Sequence, residues 1–171
     1  MKKVIAALFA VSLASAASAG TVSVEFGTNW YKVNHTNDVY DNLIGQGQNF
    51  LVSWSLDNDL SLGAYSEAGT WLYDSGSSDT WELTAIQVSK GVVKNVAVGM
   101  NIGRMYQTYD SGGGYDGMLT DVFGSVVILS GSGDKVSGVL KTVVGGRFAA
   151  HYASGDDFSG ITVNLVVGLQ F

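Results

Sequence analysis

From about residue 21 onward, apolar and polar residues alternate along the chain with a period of two, and clusters of Gly, Ser, Asn and Asp interrupt the alternation. A period of two is typical of a β-strand that exposes its two faces to different surroundings, and such clusters are typical of turns. No stretch after residue 20 has a convincing helical period. We predict eight strands, at residues 21–32, 48–57, 60–72, 79–90, 94–107, 117–130, 135–152 and 160–171.

The last segment alternates most clearly. Its apolar face carries Ile161, Val163, Leu165, Val167, Leu169 and Phe171. The fourth segment is the least regular, because Ile86 and Val88 share a parity with Glu82 and Thr84. A β-bulge or an early strand end would place the two pairs on different faces.

The predicted connections alternate between long and short. Residues 33–47, 73–78, 108–116 and 153–159 form the longer set, and residues 57–59, 90–94 and 131–134 form the shorter set. Long outer loops and short periplasmic turns are characteristic of transmembrane β-barrels. We therefore expect an antiparallel up-and-down barrel with both termini in the periplasm.

Alternation alone does not decide whether the apolar face points to a core or to lipid, so a soluble barrel of the lipocalin type is the main structural alternative. A water-facing exterior is normally rich in Lys, Glu and Asp. Here the polar face is mostly Gly, Ser, Asn and Thr, which suit a crowded lumen. Aromatic residues also gather near the predicted strand ends, as expected at membrane interfaces.

The few charged residues of the polar face have both signs. An eight-stranded barrel has an interior just wide enough for side chains to fill, so opposite charges can neutralise one another there. We predict a lumen charge network of Glu25, Glu67, Glu82, Asp121, Lys141 and Arg147.

The first residues have the features of a secretory signal peptide: Lys2 and Lys3, an apolar run from Val4 to Leu13, and small residues before a predicted cleavage after Ala19. The predicted domains are a signal peptide at 1–19 and a barrel at 20–171. The mature chain would have 7 basic and 15 acidic residues, which disfavours nucleic acid as a partner. It has no cysteine, so an exported form must be stable without disulfides.

The C-terminal sequence GITVNLVVGLQF, which ends in Phe171, resembles the signal that the barrel-assembly machinery recognises in outer-membrane proteins. On this resemblance, the assembly signal would comprise Leu165, Val167, Leu169 and Phe171. With the eight segments and the signal peptide, the mature chain resembles the small bacterial barrels of the OmpX, OmpA-barrel and opacity-protein group. The resemblance implies a Gram-negative outer-membrane location and contact with lipopolysaccharide.

A non-enzymatic structural or surface-interaction role through the outer loops is the function we expect, without a cofactor. The loops are acidic, and carboxylates can bind divalent cations that bridge to lipid phosphates, although a solvated acidic rim is the simpler interpretation. The loop acids are Asp38, Asp41, Asp74, Asp110, Asp116, Asp156 and Asp157.

Two other functions stay open. Inward glycines at 27, 63, 69, 99, 103 and 145 could leave gaps for a narrow solute channel. A lipid A or phospholipid-modifying enzyme would use His151 with Ser154 and Asp156 or Asp157, a combination that can support acyl hydrolysis. The stretch from His151 to Ser154 resembles the His-x-Ser pattern of lipid A deacylases, but Ala153 occupies the position of the nucleophile.

Overall fold

The computed structural model describes residues 22–35, 43–56, 59–72, 76, 78–134, 139–153 and 158–170. Within them are eight strands. They are β1 Val22–His35, β2 Leu43–Ser55, β3 Leu60–Leu72, β4 Ser78–Val93, β5 Val96–Thr108, β6 Gly114–Asp134, β7 Val139–Ala153 and β8 Phe158–Gln170. Among these residues, no helix is both long and apolar enough to cross a membrane.

The strands form one closed barrel in which each strand pairs antiparallel with its neighbour in sequence and β1 pairs with β8. The predicted all-β, eight-stranded, up-and-down architecture is confirmed. Closure leaves no sheet edge with unpaired backbone groups.

The register shows how the strands are staggered around the barrel. From Trp30, one row of paired residues runs across β2 to β5 and reaches Gly114 on β6. In the other direction the row crosses β8 and β7 and reaches Gly124, also on β6 and ten residues further along. The strands are therefore tilted relative to the barrel axis. Each step along such a row, from one strand to the next, changes the height by about one residue.

The connections define two ends of the barrel. The end that we call the loop end carries the connections β1–β2, β3–β4, β5–β6 and β7–β8. The opposite end, the turn end, carries the other three connections, the start of β1 and the end of β8. At the turn end, Asp59 and Asn95 adopt positive φ angles of 61° and 67°. Asp and Asn tolerate this left-handed conformation better than most residues, which makes tight reversals possible.

The bounds of several predicted connections were wrong; in the predicted turn 90–94, for example, residues 90–93 belong to β4. β1 extends to His35 and β2 begins at Leu43, so the first connection covers 36–42 instead of 33–47. Residues 131–134 belong to β6, where Gly131 pairs with Thr142 and Gly133 with Leu140. Gly, Ser, Asn and Asp have low intrinsic strand preference, but pairing with a neighbouring strand outweighs that preference here.

Candidate functional site

The exterior of the barrel carries an apolar band. Outward side chains in the middle of the strands are far more exposed than a packed core allows: Phe26 is 56 % exposed, Ile86 62 % and Val122 61 %. Inward side chains are buried: Leu51, Tyr65 and Leu119 are each 2 % exposed. The apolar face therefore points away from the barrel axis, as the sequence analysis expected of a barrel surrounded by lipid.

Toward the loop end, the outer face of β4, β5 and β6 becomes polar and charged. Arg104 on β5 makes a bidentate ion pair with Asp116 on β6, through Nε to Oδ1 and Nη2 to Oδ2. Both side chains are solvent-exposed, so this pair contributes little to stability. Asp116 was predicted in a loop, but it lies within β6 and pairs with Tyr106 of β5.

Sequence reasoning missed Arg104. The available signal was the alternation along β5. Arg104 lies two residues after Ile102 and four after Met100, so it is on the same outward face, nearer the loop end. A cation on the lipid-facing parity of a strand must lie near the edge of the apolar band, since it is costly at the membrane midplane.

The loop-end half of the lumen is filled by an apolar plug. The plug consists of Trp71, Trp81, Leu83, Met105 and Leu119, and the same buried cluster extends to Tyr65 and Leu51 nearer the turn end. The rings of Trp71 and Trp81 lie 5.7 Å apart between centroids, at an interplanar angle of 41°. This arrangement is within the range of favourable aromatic pairs.

Two inward glycines provide space for the plug. Gly69 on β3 is opposite Trp81 on β4, and Gly47 on β2 is opposite Gly69. A β-carbon at Gly47 would lie 3.0 Å from Cζ2 of Trp81, and one at Gly69 would lie 2.8 Å from its Cε2. At these two positions the space left by glycine is occupied by the indole ring, and it does not form a gap for solute.

Just on the turn-end side of the plug lies a belt of buried polar side chains. With the stagger of the strands taken into account, these residues lie within about two residues of one height. The belt comprises Asn29, Asn49, Glu67, Asn101, Asp121 and Asn164, all at most 6 % exposed. Buried polar groups of this kind require hydrogen bonds. Asn49 donates to Asn29, Tyr65 donates to Glu67, and Asn101 Nδ2 donates to Asp121 Oδ2 at 3.2 Å.

The structure places the four acidic residues of the predicted charge network in three different environments. Glu67 and Asp121 lie in the belt, with 2 % and 0 % exposure, and Glu25 is half-buried nearer the turn end. For β7, the structure describes only the backbone. In the register, Lys141 is opposite Gln170, and Arg147 is opposite both Ser125 and Asn164.

The sixth residue of the network, Glu82, was assigned to the wrong face. It is exposed, as are Ile86 and Val88, and the inward residues of β4 are Trp81, Leu83 and Gln87. The only register irregularity of β4 with β5 lies between Gly91 and Val93, after all of these residues. No bulge therefore separates Glu82 from Ile86, and all three even-numbered residues point outward.

On the turn-end side of the belt, the lumen widens into a cavity of about 650 Å³, which we call the vestibule. Its walls combine small polar side chains with apolar ones, among them Leu56, Val93 and Val166. The hydroxyl groups come from Ser23, Ser53, Ser55, Ser61, Ser89 and Ser125. Glu25, Gln87 and Phe123 add a carboxylate, an amide and an aromatic ring, and Asp59 and Lys94 of the turns also line the cavity.

At the loop end, the β5–β6 connection is tied to β4. The backbone N–H of Asp110 donates to Asp79 Oδ1 at 3.0 Å, and Gln107 Nε2 donates to Asp79 Oδ2 at 3.2 Å. Asp79 is only 6 % exposed. The connection itself is a tight reversal, in which Tyr109 N–H donates to Gly113 and Gly112 N–H donates to Tyr109. Gly112 and Gly113 both have positive φ angles.

Several predicted residues cannot be placed as side chains. Ser154, Asp156 and Asp157 of the enzyme hypothesis lie outside the described residues, and so do Asp38, Asp41 and Asp74 of the acidic loops and Phe171 of the assembly signal. His151 is described only by its backbone, opposite Asp121 and Gly160. Leu165 and Val167 of the assembly signal point outward, at 46 % and 48 % exposure. Among the described residues, no group of three or more His, Cys, Asp or Glu side chains is placed to hold a metal ion.

Comparison with solved structures shows which fold this is. Neisserial surface protein A aligns with a TM-score of 0.59 and 10 % sequence identity, over 88 % of this chain and 97 % of that one. Ail, the attachment invasion locus protein of Yersinia pestis, aligns with a TM-score of 0.57 and 11 % identity, over 90 % and 99 %. The chain has the fold of the small eight-stranded transmembrane barrels. No protein-family model and no curated protein sequence matches it.

Proposed function

We propose that this protein is an integral outer-membrane barrel of a Gram-negative bacterium, without enzymatic activity, whose loop end makes structural or surface contacts. The apolar band on the exterior is the observation that supports membrane insertion most directly. Exposed apolar side chains on seven of the strands, β1 to β6 and β8, would promote aggregation in water, whereas they are stable against acyl chains.

The lumen supports a role that does not depend on transport. The plug of tryptophan, leucine and methionine side chains fills the loop-end half, and the belt beneath it is hydrogen-bonded across neighbouring strands. An interior filled in this way serves as a rigid support for the loops. We therefore favour surface interaction over the narrow channel.

The similar structures point to the same kind of role. One is a surface protein, another is an attachment invasion locus protein, and the latter, Ail, has also been solved in complex with the heparin analogue sucrose octasulfate. By analogy of fold, we propose that lipopolysaccharide or an extracellular ligand contacts the loop end of this barrel. Analogy of fold supports the location of the contact and leaves the ligand to experiment.

Export and orientation complete the proposal. Residues 1–19 would be removed as a signal peptide, the assembly machinery would recognise the C-terminal strand that ends in Phe171, and both termini would remain in the periplasm. In this orientation the loop end faces the cell exterior, and the turns that contain Asp59 and Lys94 face the periplasm.

The orientation can be tested by cysteine labelling, because the chain has no cysteine of its own. We expect a cysteine at Gly112, at the loop end, to react in intact cells with a membrane-impermeant maleimide. The matched variant Lys94→Cys, at the turn end, should react only after the cells are opened. The reverse pattern would invert the orientation. Release of the mature protein by osmotic shock without detergent would contradict membrane insertion itself.

The surface role can be tested by shortening the four loop-end connections one at a time. Variants that still fold should lose binding to lipopolysaccharide-coated or host-cell surfaces when the contacting loop is shortened. If all four variants bind as the wild type does, the loops are not the contact surface. Identical lipid A acyl patterns with and without the protein would further support a non-enzymatic role.

A further inference from the structure

The two halves of the lumen are filled very differently. The loop-end half contains two tryptophans, two leucines and a methionine within the plug, whereas the walls of the turn-end half carry six serines. An eight-stranded barrel can either fill its interior with side chains or hold one small ligand. This chain does the first at one end and leaves about 650 Å³ open at the other.

We propose that the vestibule is a binding site for a small hydroxyl-rich ligand, of the size and chemistry of a disaccharide. Its volume lies within the range of about 300–1,000 Å³ that is typical of small-molecule sites. The proposal is independent of what the loop end binds, since the plug separates the two ends of the lumen.

The chemistry of the walls favours a neutral sugar. Each serine hydroxyl can donate one hydrogen bond and accept two, and the Gln87 amide can do both. These groups match sugar hydroxyls, which also donate and accept. Glu25 adds a carboxylate acceptor, and Phe123 offers an apolar ring against which the C–H face of a sugar can pack.

The charges at the vestibule are of both signs. Glu25 and Asp59 are acidic, and Lys94 is basic. A strongly charged ligand of either sign would therefore meet a like charge. A neutral polyol avoids this repulsion and is the ligand class to which the walls are best matched.

The ligand can enter only through the turn end, because the plug closes the other side. Gly91, Lys94 and Asn95 lie where β4 turns into β5 and also line the vestibule. If the orientation proposed above is correct, the source of the sugar is the periplasm. If the orientation is reversed, the same site would face the outside of the cell.

The test uses the purified, folded barrel in lipid nanodiscs and two probes, the acetylated disaccharide N,N′-diacetylchitobiose and the unacetylated disaccharide maltose. Ligand-detected NMR reports binding to the wild type. Ser89→Phe fills the vestibule, since Ser89 lines it. Val88→Phe is the matched control, because Val88 is the neighbour of Ser89 in sequence and its side chain points outward, where it is 37 % exposed.

We expect at least one of the probes to bind to the wild type and to Val88→Phe, and its affinity to fall at least tenfold in Ser89→Phe. Heat-modifiable migration on gels verifies that each variant is folded. The proposal is overturned if neither probe binds to the folded wild type, or if Ser89→Phe binds as well as the control. A barrel that fails to insert into nanodiscs would instead contradict the proposed membrane function.

Discussion

Trp81 and Gly69 are opposite each other across β4 and β3, and the indole ring occupies the space that a side chain at Gly69 would need. Neither Trp81 nor Gly69 alone accounts for this arrangement. The ring can lie across two strands because both Gly69 and Gly47 lack a β-carbon, and the plug is built around that ring.

Replacing Gly69 by alanine should therefore destabilise the barrel. The added methyl group would force the indole or the strand to move, and overpacking of this kind costs about 1–3 kcal/mol. Gly124→Ala is a matched control, because no heavy atom lies within 4 Å of a β-carbon at Gly124. Urea unfolding of both variants in vesicles would measure the difference. Equal stabilities would show that Trp81 does not depend on Gly69.

A charge in the middle of the apolar band should be costly if lipid surrounds the barrel. Ile86→Arg places a cation at a position that is 62 % exposed on the outer face, and we expect a loss of about 2–4 kcal/mol in the free energy of unfolding. Thr80→Arg, at an exposed position six residues nearer the loop end, should lose about 1 kcal/mol or less, because the cation lies nearer the interface. Unfolding from vesicles gives both values. A negligible effect of Ile86→Arg would contradict a lipid-facing exterior.

The hydroxyl group of Tyr65 donates to the buried carboxylate of Glu67. Tyr65→Phe removes this donor and keeps the ring, so we expect a loss of about 1.5–3 kcal/mol, as for hydrogen bonds to charged groups. Tyr106→Phe serves as the control, because Tyr106 is 51 % exposed and its hydroxyl can bond to solvent. Chemical unfolding would separate the two. If Tyr65→Phe is as stable as the control, the belt does not depend on this bond.

The plug predicts that the wild-type barrel does not conduct. Planar bilayers with the purified protein should show no steady unitary steps. Shortening Trp71 and Trp81 to alanine together should open the lumen and produce such steps, because these rings fill its loop-end half. Trp30→Ala, on the outer face, should stay silent. Regular steps from the wild type would support the channel hypothesis.

Asp79 should hold the β5–β6 connection in place. Asp79→Ala removes the acceptor for the Asp110 backbone N–H and for the Gln107 amide, so amide hydrogen exchange at residues 109–113 should become faster. Asp116→Ala removes an acid that bonds to Arg104 on the outer face, and exchange at 109–113 should change little. Similar exchange rates in Asp79→Ala and the wild type would show that the connection is ordered by its own glycines.

Much of the architecture was predictable because the side chains of a barrel strand alternate between its two faces with a period of two. Outward and inward positions follow from alternation wherever a strand is regular, as in β3, where Leu60 and Leu62 are exposed and Tyr65 and Glu67 are buried. Strand bounds were less predictable. Gly131 and Gly133 extend β6 only because β7 pairs with them.

The candidate sites were less predictable, because they depend on residues that are distant in sequence. Glu82 was placed in the lumen because a bulge was allowed for, and only the pairing of β4 with β5 shows that the strand is regular there. The vestibule results from six serines on β1 to β4 and β6. Nothing in any single strand indicates that these small residues meet at one height.

By itself, the sequence determined the class of fold and the direction in which most side chains point, because alternation with a period of two is a local property of each strand. Only the tertiary structure decided which side chains share a height in the lumen. The tilt and stagger of the strands set those heights, so a closed plug, a polar belt and an open vestibule emerge only when the barrel closes.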